Sequence, residues 1–212
     1  MARTSMNETE RFLLNNWSEA SRLEECMEGV RTKYKELCER VAAAVLETHS
    51  ALDASVVYVT QSSYDGCIGL ARKSWPGGDS RDPPGFYVDN LRLEILASEE
   101  SDEPVSYLWV DKKSILDLAA ARGDVTAEAK KLLGREQFER LCTAGSGEFL
   151  LYFVNTPSKH DLLTALAEGD EQTFVDKLQS HFDTMAQLVP VLDKLFQEHP
   201  AVKEEMTTRG AD

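Results

Sequence analysis

Residues 20–44 read ASRLEECMEGVRTKYKELCERVAAA. Ala20, Leu23, Met27, Val30, Tyr34, Leu37, Val41 and Ala44 recur there at alternating steps of three and four. That spacing is a heptad pattern with apolar a and d positions, the signature of a helix with one greasy seam. The pattern predicts one long helical arm over 8–50, because no proline interrupts the stretch. Gly29 falls on the outer face and weakens the arm by about 1 kcal/mol. A seam of this kind needs cover. Either it packs on the chain's own sheet and C-terminal helices, or it pairs with a second copy through Leu23, Met27, Val30, Tyr34, Leu37 and Val41.

Downstream the character changes. Ser55–Gln61 (SVVYVTQ) is β-branched and aromatic, and Cys67–Lys73 follows a Ser-Ser-Tyr-Asp-Gly turn, so both read as strands. Trp75–Gly85 (WPGGDSRDPPG) holds three prolines and three glycines and reads as a loop. Phe86–Ala97 and Val105–Val110 are expected to be the strongest strands, joined by the acidic Ser98–Pro104 (SEESDEP). Helices are then expected over 115–122, capped by Ser114, over 126–133 and over 135–142. Gly145-Ser146-Gly147 lacks the spacing and the lysine of a phosphate-binding loop and reads as a turn.

Phe149–Asn155 (FLLYFVN) reads as a buried fifth strand. It arrives by a helical crossover, which is compatible with parallel pairing. Ser158 with Asp161 resembles a capping box opening a helix that stops at Gly169. Phe174, Leu178, Phe182, Met185, Val189, Leu192 and Phe196 mark a last amphipathic helix, which Pro190 should kink or split. The order predicts an α+β chain with a long N-terminal helix, a mostly antiparallel sheet of four to five strands and C-terminal helices packed on it. A single domain over 1–212 is expected, with a frayed tail over 203–212.

The 212 residues carry 23 basic and 37 acidic side chains, a net charge of −14. No segment is basic, so the electrostatic footprint of a phosphate-backbone binder is missing and nucleic acid is an unexpected partner. An acidic surface instead suits solubility or a protein partner with a basic surface. No apolar run approaches the roughly 20 residues of a membrane helix. The opening MARTSMNETER lacks the apolar core of a signal peptide. Four cysteines, Cys26, Cys38, Cys67 and Cys142, form no CxxC pair and no zinc spacing. Cys26 and Cys38 stand about 18 Å apart along one helix, too far to bridge. These features predict a cytoplasmic protein with free thiols. His49, His160, His181 and His199 are scattered and read as surface or packing residues, and Trp17, Trp75 and Trp109 as packing.

One constellation carries chemistry. Hydrophobic patterning aligns the odd positions of 86–97 with Val105, Tyr107 and Trp109. A register pairing Ala97 with Val105, Leu93 with Trp109 and Asp89 with Lys113 would bring Asp89, Asp111 and Lys113 to one end of a single face. Two carboxylates held that close can share a magnesium ion, and the lysine can orient water or offset charge. An acid in one strand followed by Asp111-Lys112-Lys113 in the next, then a helix and a strand, resembles the PD-(D/E)xK nuclease family over about residues 35–155. The resemblance implies magnesium-dependent phosphodiester hydrolysis, with Asp89 and Asp111 as metal ligands and Lys113 as the catalytic base or charge partner. The competing account has Asp111 and Lys113 merely solvating a strand end. No GxSxG, HExxH, P-loop or GxGxxG motif is present.

The function this sequence favours is a non-enzymatic acidic interaction or regulatory protein that self-associates through its first helix and needs no cofactor. A magnesium-dependent nuclease is the alternative. A small-molecule sensor with a ligand between sheet and helices is a further one, carried by fold analogy.

Overall fold

The computed structural model describes residues 7–49, 54–58, 66–72, 74–76, 83–111, 115 and 117–199. Two compact units are found, Met1–Leu37 and Cys38–Asp212. The first holds α1 (Glu8–Asn15) and the opening part of α2 (Trp17–Thr48). Asn16 separates the two helices, its side-chain amide donating to the Phe12 carbonyl at 2.8 Å. A short amide competing for a helical carbonyl is a local cause of such a break. The expected single arm over 8–50 is therefore two helices.

The second unit is built on an antiparallel sheet. Its strands are β1 (Ala54–Tyr58), β2 (Cys67–Ala71), β3 (Gly85–Asp89), β4 (Val105–Trp109), β5 (Cys142–Ala144) and β6 (Phe149–Phe153). Their spatial order is β1-β2-β3-β4-β6-β5. Every neighbouring pair is antiparallel, including β4 with β6, so the last strand does not return parallel. Register aligns Leu70, Phe86, Leu108 and Leu151 in one row across four strands. All four are at most 1% exposed, which makes this row the centre of the core. The opposite face carries the row Gly69, Tyr87, Tyr107 and Tyr152, with Tyr87 and Tyr107 stacked at 5.8 Å. Gly69 is the required partner here, since a Cβ would lie 2.6 Å from the Tyr87 ring.

The α+β class stands, with six strands among the described residues where four to five were expected. Two stretches differ from the sequence reading. The strand predicted over 86–97 ends at Asp89, because Asn90 turns into the left-handed region (φ 61°) and Leu93–Leu96 forms α3. Leu91, Leu93 and Ile95 fit a strand by twos, yet Leu91 and Ile95 also fit a helical step of four. Cys142, read as the last residue of a helix, instead opens the edge strand Cys142–Ala144, paired to β6.

Helices follow. α4 (Leu118–Leu133) is one helix where two were expected, and Asp117 caps it by accepting from the Ala119 and Ala120 amides at 3.0 Å. The expected cap, Ser114, lies outside the described residues. α5 (Arg135–Leu141) begins after Gly134, whose φ of +80° only glycine adopts freely. α6 (Lys159–Ala167) opens on the expected Ser158–Asp161 pair, the Asp161 amide donating to Ser158 Oγ at 3.1 Å and the Ser158 hydroxyl donating to the Asp161 carboxylate at 2.7 Å. α7 (Glu171–Ala186) and α8 (Val189–Glu198) are the two pieces into which Pro190 divides the last helix. The tail over 203–212 lies outside the described residues.

The Phe86–Leu108 face of the sheet is covered by helices. Phe153 packs edge-on to His181 of α7, and Trp75 bridges Phe86 and Phe196 of α8. The final part of α2 runs parallel to α7. Arg40 pairs with Glu171, the Gln179 amide donates to Thr48 Oγ1 at 2.9 Å, and His49 meets Asp183 at 2.7 Å. α8 is tied to α4 by Lys194–Glu128 at 2.7 Å and His199–Asp124 at 2.8 Å.

Candidate functional site

The heptad seam divides sharply along α2. Tyr34, Leu37 and Val41 are at most 6% exposed, while Leu23, Met27 and Val30 are 65%, 54% and 54% exposed. The six residues expected to form one interface thus fall into two sets. The second set is buried and the first is not. The first presents a row of apolar side chains to solvent, along with Phe12 and Trp17, each 65% exposed. Trp17 was expected to pack and does not. Isolated surface hydrophobes are ordinary; here three stand in succession at heptad spacing along one helix.

The surroundings of this row are charged and arranged in order. Glu24 and Arg31 flank it on one side, and Glu19 and Lys33 on the other, by their heptad positions. Residues 1–37 carry six basic and seven acidic side chains, so the arm is nearly neutral while residues 38–212 hold a net −13. Cys26 lies on the same arm and is exposed.

The acid pair of the nuclease reading is not brought together. Asp89 pairs with Val105 and Gly85 with Trp109, eight residues away from the predicted register. Asp111 follows Trp109 by two residues, so it lies at the other end of the ladder, about 20 Å from the level of Asp89 at strand rise. Both Asp89 oxygens are engaged locally. Oδ2 accepts from the Tyr107 hydroxyl at 3.0 Å, and Oδ1 accepts from the Asn90 amide at 2.9 Å. Burial first, and then the Asp89 charge, hold the Tyr107 phenol well above its usual range. Lys113 lies outside the described residues. Among the described residues, no three His, Cys, Asp or Glu side chains are placed to hold a metal ion.

A cleft of about 480 Å³ opens between β6 and α7. Asp161, Asp176, Lys177, Ser180 and His181 line it, and Lys177 reaches Asp161 at 3.3 Å. Leu141, Phe153 and Pro157 share the walls with these polar groups. His181 sits at the inner wall, 7% exposed, and shares a hydrogen bond at 2.7 Å with Ser106 Oγ, which in turn contacts Thr156 Oγ1. Burial pushes the imidazole down to about 4, so it is neutral at pH 7. Ser106 is 1% exposed, which closes its hydroxyl to a substrate and makes the pair a satisfied core hydrogen bond. Nothing in the local sequence distinguishes His181 from the other three histidines. Its neighbours come from a strand 75 residues away.

Among the described residues, no helix is long and apolar enough to cross a membrane. No protein-family model, no curated protein and no solved structure matches this chain.

Proposed function

We propose that this chain is a non-enzymatic interaction protein that assembles through its N-terminal helical arm. One observation carries the reading. Leu23, Met27 and Val30 continue the seam that Tyr34, Leu37 and Val41 bury, yet each is more than half exposed. Fully covering a side chain of this kind is worth about 1.5–3 kcal/mol, so leaving three of them wet favours a partner. A heptad seam selects another helix as that partner, because its knobs need a facing set of holes. The nearly neutral arm also lets two copies approach where the rest of the acidic chain would repel.

Sedimentation equilibrium on the full chain tests this across the micromolar range. The expected result is a dimer that dissociates markedly more readily in Met27→Glu, while the variant still unfolds cooperatively. A wild-type chain that remains monomeric throughout removes the proposal.

A further inference from the structure

We infer that two copies pair their α2 helices antiparallel over residues 17–33, about a two-fold axis at the level of residue 25. This rests on the reading of the arm as a self-association surface and adds the geometry of the pair.

The exposed seam fixes the centre. In an antiparallel pair each a position packs against a d position of the other helix. Centring on residue 25 places Ala20 opposite Val30 and Leu23 opposite Met27, and then repeats both layers in reverse order. Each exposed seam residue thereby meets another seam residue that is not fully buried in its own chain. Shifting the centre one layer towards the C-terminus would set Leu23 against Tyr34, which is only 6% exposed.

Flanking charge fixes the direction. At this centring Glu19 of each copy lies within about two residues' rise of Lys33 of the other, giving two complementary pairs. Trp17 likewise falls beside Arg31, where a guanidinium can sit against its exposed ring. Glu24 meets its own copy once across the axis. A parallel, in-register pair gives the opposite balance. There Glu19 faces Glu24 twice, and Lys33 faces Cys38, which is buried.

A charge swap on the full chain tests the direction by sedimentation equilibrium. Glu19→Lys and Lys33→Glu should each weaken the dimer by about tenfold, and the double swap should restore it to within about threefold of wild type. The double variant keeps any effect of Glu19→Lys on the first turn of α2, so recovery isolates the pair. A parallel dimer would be strengthened by Glu19→Lys, and that result overturns the inference. So does a double swap no stronger than the weaker single variant.

Zero-length carbodiimide coupling of the unaltered chain gives a second readout. The expected product is a covalent dimer containing a Glu19–Lys33 amide. The two residues are about 21 Å apart within one helix, so the junction can only form between copies. A covalent dimer whose junctions exclude that pair overturns the orientation. If Met27→Glu still abolishes the dimer in that case, the arm reading stands without it. A monomeric wild-type chain removes both.

Discussion

Arg72 reaches Asp193 with one nitrogen, Nη1, at 2.8 Å from each carboxylate oxygen. The pair joins the end of β2 to α8, and Trp75 Nε1 donates to the same carboxylate at 2.8 Å. A single aspartate therefore serves two donors from a segment rich in proline and glycine. Asp193→Ala would leave a largely covered guanidinium and a buried indole without their shared acceptor. The expected loss is about 2 kcal/mol, read from urea unfolding. Asp193→Asn should retain part of it, since the amide oxygen can still accept.

Gly69 gives a packing prediction of the opposite kind. A methyl group there would press on the Tyr87 ring, which stacks on Tyr107 and whose hydroxyl donates to the Pro83 carbonyl. The ring has little room to move. Gly69→Ala should destabilise the unit by about 1–3 kcal/mol, although alanine suits a strand better than glycine. Gly123→Ala is the control, because nothing lies within 4 Å of a Cβ added there. In mid-helix that change should stabilise by about 1 kcal/mol.

His181 predicts how stability varies with pH. Its folded value is about 4, against about 6.5 in an unfolded chain. Between those values the unfolded chain binds a proton that the folded one does not. The contribution is thus complete above about pH 6.5 and is lost as pH falls towards 4, up to about 3 kcal/mol in all. Asp161 and Asp170, whose hydrogen bonds to Ser158 and Thr173 hold them below the usual carboxylate range, lose their contributions at lower pH. Denaturant melts between pH 6.5 and 5 isolate the histidine. His181→Gln should show a flatter slope in that window, and an unchanged slope would assign the effect elsewhere.

The helix caps offer a smaller effect. Asp117 satisfies two amides at the start of α4 from an exposed position. Asp117→Ala should cost about 1 kcal/mol, read as a lower thermal midpoint.

The hairpin shows how far the sequence could be read. Alternation correctly put Tyr107 and Trp109 on one face, because side-chain direction in a strand has a period of two. It could not fix register, since sliding one strand by an even number of residues leaves every face unchanged. The observed pairing differs from the expected one by eight residues, and that shift alone separates Asp89 from Asp111. Asn90 was the missing signal. An asparagine tolerates the left-handed turn that ends β3, and it sits inside an otherwise strand-like run.

The arm was legible in a different way. The heptad spacing placed Tyr34, Leu37 and Val41 on the buried face of α2. It could not say where along α2 burial begins, because contacts made far away in sequence are not written in a helix's own spacing. Arg40, Thr48 and His49 meet Glu171, Gln179 and Asp183, more than 130 residues later. Pro190 and the Ser158–Asp161 pair were read correctly because their effects are local.

β5 has a consequence for colonies of this chain at high concentration. It is only three residues long and closes one side of the sheet. Its neighbour β6 is followed by Val154 and Asn155, which return to the Leu141 and Arg140 carbonyls. A foreign strand arriving on that border finds too few free ladder positions to grip, so fibril growth should not start there.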